Sequence, residues 1–578
     1  MPTRPLFLLA LAPFLSAPAL AEAVGGPSYP QAEPPADPLP VMDAAMREVV
    51  AQLLGQPDPA YAVTFALVDD HTQTIQGTHG AFAGTVNERS RLLDIDMRVG
   101  SMQLDSGHKL RDAGWFSEDQ RPSWQVPFVG PATALRLALL RGSDDVFRQA
   151  RARLLKVRAN EVVKVAREDA SADYSPAPIV VHEVDLPAAG VDVAAWEQLV
   201  SEVSRVYLDY PEINDSAVQL VVSEQRRYFL NNEGTRVRDG RNHFRVATWA
   251  ETVADDGMAL NVYDYVDVAS LERLPSREHV TTMASGVAER LVALRHAPTV
   301  DPWSGPAILR GRAAGVFFHE IFGHRIEGHR QKDEDEGQTF TKQVGKAILP
   351  AFLSVADDPT SARRAGEDLN GSYAVDDEGV ASERVALVEA GILRNFLMSR
   401  APVEGFGRSN GHGRREPGNA VVARQGNLMV ESSRSVPYAT LRKLLVDEAK
   451  KQKREFGLVF DDISGGFTFT GRSTPNSFVV SPVTVWRVYV DGRPDELVRG
   501  VDLIGTPLTT FSRIVAAADD VAVFNGVCGA ESGWVPVSAS APSLLVSEVE
   551  IQRREKGNDR PPLLSPPGSP SKTPGATW

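Results

Sequence analysis

Cysteine is almost absent from this sequence: Cys528 is the only one in 578 residues. A single thiol cannot close a disulfide within the chain. In an oxidising compartment such a thiol is either deeply buried or held by a metal. Positive charge is also in short supply, with 61 Lys and Arg against 75 Asp and Glu for a net charge of -14. That balance argues against a nucleic-acid binder, which needs clustered cations to neutralise phosphate. The basic run Lys450-Lys451-Gln452-Lys453-Arg454 reads as one solvated helix face. Past the N-terminal residues no apolar stretch approaches the ~20 residues of a membrane span, and no fixed-period repeat is present. What remains, 43% hydrophobic and 24% charged, is the profile of a globular protein, too long for one ordinary core and so expected to form two domains.

The N-terminus has the layout of an export signal. Arg4 precedes an apolar stretch from Leu6 to Leu15, and Ala19-Leu20-Ala21 fits the small-x-small cleavage rule. A buried N-terminal strand or helix is the competing reading, and Pro13, Pro18 and the Pro-rich stretch beyond them disfavour it. The expectation is a signal peptide at 1–21, a periplasmic or secreted protein, and a Pro-rich linker at 22–40. The stretch "VMDAAMREVVAQLLGQ" then has apolar residues at helical spacing.

The patterning predicts an α+β fold. From 41 to 300, strands such as "AVQLVVSEQRRYFLNN" alternate with helices such as "LPSREHVTTMASGVAERLVALRHA", which predicts an N-terminal α/β domain on a mixed or antiparallel sheet. "APTVDPWSGPAIL" marks the boundary. From 301 to 555, short alternating strands separated by Gly, Asp and Asn turns predict a mostly antiparallel, barrel-like domain. Residues 556–578, rich in Pro, Ser and Gly, read as a disordered tail.

The chemistry is concentrated in "VFFHEIFGHRIEGHR", Val316 to Arg330, which holds three of the eleven histidines. His319 and His324 are candidate metal ligands, and Glu320 is the candidate general base for water on an open, zinc-type site. Their interval is five residues rather than the four of H-E-x-x-H. On a regular helix the two rings would diverge by roughly 140°. A single π-type turn would bring them together, with Gly323 supplying backbone freedom and room for the metal. Glu327, three residues after His324, and His329, which repeats the five-residue step, compete for a third ligand position. The bland alternative is the charged end of a helix capped near Gly328.

The stretch "HEIFGHRIEG" resembles the signature of the TldD/PmbA family of metallopeptidases, in its TldD-type, metal-motif-bearing branch. "DDEGVASERVALVEAGILRNFLMSR", "ARQGNLMV", "FDDISGGFTFT", "LVRGVDLIGTPL" and "VCGAESGWVPVSASAPSLLV" follow in the order that family has them. The likeness covers most of 304–551. It implies the metal-site helix at the start of the C-terminal catalytic domain, Zn2+ as cofactor, and Cys528 as third ligand beside His319 and His324. It also implies a peptide substrate and a homodimer or a heterodimer with a PmbA-type subunit. One departure stands inside the motif: the family commonly has an aspartate where this chain has His329. If His329 reached the metal, the site would close and lose its water.

The leading expectation is an exported zinc-dependent peptidase acting on unfolded peptides or protein fragments, with neither a nucleic-acid partner nor a membrane span. Its rivals are a metal-stabilised binding or assembly protein and a modulator subunit of a TldD/PmbA-type complex. Glu320 favours the enzyme, since a structural zinc has no use for a base beside it.

Overall fold

A computed structural model describes residues 7–10, 37–110, 121–161, 169–472, 478–505 and 507–554. Most of the expected signal peptide and linker, and the tail at 556–578, lie outside the described residues. The one piece of the N-terminal apolar stretch that is described, Phe7–Ala10, is a strand, β1. Helix α1 is Leu39–Leu53 and starts inside the stretch read as linker, because prolines are tolerated in a first helical turn.

The N-terminal half is built on long antiparallel strands: β2 (Ala60–Thr78), β3 (Ala81–Ser101), β4 (Asp215–Asn231), β5 (Arg236–Val253) and β6 (Ala259–Val268). Their order in the sheet is β3-β2-β4-β5-β6, and Val181–Glu183 adds a parallel pair to β5. Strands this long need two separate covers. Helices α1 and α2 (Ala132–Glu161) bury Met42, Leu139 and Leu154 against Phe65, Leu93 and Ile95. Helices α3 (Val193–Val203) and α4 (Arg277–His296) bury Val200, Val287 and Leu291 against Leu220, Phe244 and Val246. Asp192 and Ser276 start those two helices by accepting the Ala195 and His279 amides.

The C-terminal half contains a closed five-stranded barrel. It begins at β7 (Trp303–Leu309), which leads directly into helix α5 (Gly311–Ile321). An outer sheet follows in sequence, with β8 (Leu353–Asp357), β9 (Val385–Glu389) and β10 (Asn427–Ser432), then helix α6 (Tyr438–Lys451). The barrel resumes with β11 (Phe456–Thr468), β12 (Phe478–Tyr489) and β13 (Val501–Gly505). The hairpin β14 (Ala522–Ala530) and β15 (Gly533–Ala541) returns to the outer sheet, and β16 (Leu544–Arg553) completes the barrel. Around the barrel the neighbours are β7-β16-β13-β12-β11 and back to β7, antiparallel except at the parallel β11–β7 closure. The expected α+β class and barrel-like C-terminal half are therefore what the chain forms.

Helix α5 is buried on nearly every side, with Arg312 the exception. That placement demands small residues. A Cβ on Gly311 would meet Ala522 at 2.8 Å, and one on Gly315 would meet the Ala539 carbonyl at 2.9 Å. The "GRAAG" start thus lets α5 lie directly on the β14–β15 hairpin, while Phe317, Phe318 and Ile321 fill the core on its other sides. This close approach is what brings the motif histidines to Cys528.

Candidate metal centre

His319 is in the last turn of α5, which ends at Ile321. His324 is carried by a separate 3-10 turn, Gly323–Arg325. The expected π-type turn is therefore wrong. Phe322, at φ -104° and ψ -53°, ends the α-helix, and the five-residue spacing is met by two short elements. Arg325 makes this possible: its Nη1 donates to the Glu320 carbonyl at 3.0 Å and the Ile321 carbonyl at 3.2 Å, satisfying helix-end acceptors away from solvent. Gly323 also has a different job from the one expected. A Cβ there would overlap the Gln425 side chain, at 1.8 Å from its Oε1, so the space serves Gln425 rather than a metal. Gln425 Nε2 in turn donates to the His319 carbonyl.

The two imidazoles and the thiol converge. Cys528 Sγ is 3.2 Å from His319 Nε2 and 3.4 Å from His324 Nε2, and the rings stand edge to face at 5.0 Å. His319, His324 and Cys528 are buried. Their donor atoms all fall within 4.8 Å of one another. Zinc bonds of about 2.0–2.1 Å to nitrogen and 2.3 Å to sulfur, arranged tetrahedrally, separate ligand atoms by about 3.3–3.6 Å. The spacing and the mixed nitrogen and thiolate set therefore fit that ion.

Electrostatics prepare the cluster for a cation. Burial alone would push the Cys528 thiol up, but His324, Arg424 and His319 hold it well below the usual thiol range. Burial would push His324 down, yet Cys528 and Glu327 raise it to about 10. A thiolate–imidazolium pair is the result, and it is the form a metal converts into two ligands by displacing one proton.

The rival ligands lie outside this group of three. Glu327 is fully buried, 3.4 Å from His324 Nδ1 on the side away from Cys528, and accepts from Arg330 Nε at 2.8 Å. Burial opposes its charge, but His324, Arg330 and Arg424 lower it to about 2. A carboxylate on the far nitrogen orients the ring and raises its basicity. His329 turns away to Glu531. Glu531 also takes Arg330 Nη2 at 2.8 Å, in the turn that joins β14 to β15. His329 thus steadies the hairpin that carries Cys528, and His324 keeps Glu327 as its companion.

Three supporting residues escaped sequence reading: Arg424, Gln425 and Glu531. Arg424 is fully buried, donates to the Cys528 carbonyl at 2.7 Å and to Ser532 Oγ at 2.8 Å, and lies 3.5 Å from Glu327. The first two lie in "ARQGNLMV", but nothing in that stretch marks their partners, which lie far off in the sequence.

Glu320 is buried and points toward β11, where a Cβ on Gly466 would meet its Cγ at 2.9 Å. Strand β1 runs between these two sides of the site. Leu9 is in register with Cys528 on β14 and with Gly466 on β11. An extended backbone in this slot therefore passes between Cys528 and the glycine that makes room for Glu320.

The chain is also similar to known proteins. Residues 304–553 match the family model of the PmbA/TldA metallopeptidase C-terminal domain. A metalloprotease TldD homolog of Haemophilus influenzae is 28% identical over 250 residues, 43% of this chain and 48% of that protein. A zinc metalloprotease TldD homolog of Saccharolobus solfataricus is 21% identical over 276 residues, 47% and 57% of the two chains. The chain spans about half the length of the curated relatives it matches. The crystal structure of TldE from Thermococcus kodakarensis shares the fold, with a TM-score of 0.59 at 12% identity over 89% of this chain and 100% of that one.

Proposed function

Because this chain belongs to the TldD/PmbA family through its C-terminal domain, we propose that it is an exported zinc-dependent peptidase that hydrolyses unfolded peptides or protein fragments. The observation that carries this reading is the buried convergence of His319, His324 and Cys528 beside Glu320 and a strand slot. Zinc held by those three side chains would keep a fourth position for water and lower that water's pKa toward about 7.

The remaining work falls to the protein's own groups. Glu320 takes the proton of the attacking water on its carboxylate and returns it to the departing amine. Glu327 holds His324 through Nδ1, and Arg424 fixes the backbone of Cys528, so the donor geometry is set before substrate arrives. An extended peptide pairs by its main chain with β11 and β14, which gives recognition largely independent of side chains. The assembly is a homodimer or a heterodimer with a PmbA-type subunit, as the family resemblance implies.

A structural zinc in a binding protein is the second reading. Glu320 distinguishes the two, because holding zinc does not require it. The test is hydrolysis of a mixed pool of unfolded peptides by the zinc-loaded chain starting at Glu22, with and without a chelator. Cleavage that the chelator abolishes and added zinc restores is expected. A zinc-loaded chain that cuts no peptide in the pool would move the function to the binding reading.

A further inference from the structure

The strand slot is already filled by the chain itself. Phe7 pairs with Thr468, Leu8 with Phe467, Leu9 with Gly466 and Ala10 with Gly465 on β11. On the other side Leu8 pairs with Gly529, Leu9 with Cys528 and Ala10 with Val527 on β14. Both ladders are antiparallel, so β11 and β14 run parallel to each other and meet only through β1 at this seam. Lifting β1 out leaves two facing rows of unpaired backbone groups, a template for another extended segment. The segment that fills it belongs to the apolar stretch Leu6–Leu15, which ends ahead of the Ala19-Leu20-Ala21 cleavage pattern.

We propose that Phe7–Ala10 is a built-in occupant of the substrate slot: the unprocessed chain is blocked by its own leader, and removing the leader opens the slot to an extended peptide. This rests on the peptidase reading above for the meaning of the slot, and on cleavage near Ala21 for its release. Tethering explains why four residues suffice. While attached, the strand faces the slot at an effective concentration on the order of millimolar, and once cut it must bind as a free peptide and is readily exchanged. Activity inside the cell before export is thereby suppressed, and the step that delivers the protein also uncovers its site.

Hydrogen exchange tests this without any need for turnover. The full chain is compared with the chain starting at Glu22, and with full-length Leu9→Pro, which removes one ladder N–H and the strand geometry around it. Thermal melting verifies that each is folded. The full chain should show amides within Gly465–Thr468 and Val527–Gly529 exchanging at least about tenfold more slowly than in the other two. A synthetic peptide of residues 4–13 added to the shortened chain should restore the protection. Equal exchange in full and shortened chains, or unchanged protection in Leu9→Pro, would overturn the proposal while leaving the peptidase reading in place. Absence of peptide hydrolysis by the zinc-loaded chain starting at Glu22, with the exchange pattern intact, would do the reverse, keeping an occupied slot and removing its role as a substrate site.

Discussion

At the scale of single residues the site separates donors from their supports. Cys528 faces both histidines and His329 faces Glu531, so their substitutions should differ in kind. Cys528→Ser replaces a soft donor by a hard one and should sharply weaken zinc binding. His329→Ala should weaken it far less, because only the hairpin turn loses a contact. Bound zinc should protect Cys528 from alkylation, and equal alkylation rates with and without zinc would remove it from the ligand set. Glu327→Gln keeps the size and loses the charge opposite His324 Nδ1, and should reduce zinc affinity by about 10–100-fold, measured by competition with a chelating dye. Unchanged affinity would make Glu327 a purely structural partner of Arg330. Much of this was legible in the sequence: His319, Glu320 and His324 are named by their spacing, whereas Cys528 is named as a ligand by the family resemblance and not by its rarity alone. Arg424 and Glu531 were not, because their role depends on folding positions more than a hundred residues apart in sequence against one another, which no local pattern records.

At the scale of elements, α5 and the loop at Asp376–Gly379 show how short motifs are used. The five-residue histidine spacing forces a choice between a bulged helix and a broken one. Arg325 decides it by satisfying, from four and five residues downstream, the carbonyls of a helix that stops, a side-chain contact that hydrophobic periodicity does not record. In the Asp376–Gly379 loop, Asp376 accepts the Glu378, Val380 and Gly413 amides, and Gly413 separates its carboxyl from that of Glu378, with a Cβ there falling 2.7 Å from Glu378 and 3.1 Å from Asp376. Burial, and then the neighbouring Glu378, raise Asp376 to about 8, and burial raises Glu378 as well. The unfolded chain releases these protons near pH 4, while the folded pair retains one well above that. Folded protein therefore binds more protons between about pH 4 and pH 8, and its stability should fall as pH rises through that window. Denaturation midpoints measured between about pH 5 and pH 8 should show a shallower decline in Glu378→Gln than in the wild type. An identical slope in the two would mean that this pair holds no extra proton.

At the scale of the whole molecule, the two halves are joined by arginine-centred ion pairs and by apolar contact, as where Val375 packs with Ala66, Phe229 and Val237. Arg227 on β4 pairs with Asp239 on β5 and reaches Asp377 together with the Val375 and Asp376 carbonyls. Arg400 reaches back from the C-terminal half to Glu233 and the Ser175 carbonyl. Arg227→Ala removes the guanidinium shared by Asp239 and Asp377 and should cost about 1.5–3 kcal/mol of stability in chemical denaturation, with zinc affinity unchanged. A loss of zinc binding in a folded Arg227→Ala protein would mean that the N-terminal half shapes the site. Alternation and turn spacing foretold the class of both halves, whereas the barrel's closure through the parallel β11–β7 pair needed the fold itself. The central claim is that the His319, His324 and Cys528 cluster is catalytic rather than structural. It is tested most directly by measuring zinc content and peptide hydrolysis on the same preparations of the chain starting at Glu22 and its Glu320→Gln variant. The account predicts one zinc per chain in both, with hydrolysis reduced at least about 100-fold in the variant. Equal hydrolysis in the two proteins, or full zinc with no hydrolysis in either, would contradict it.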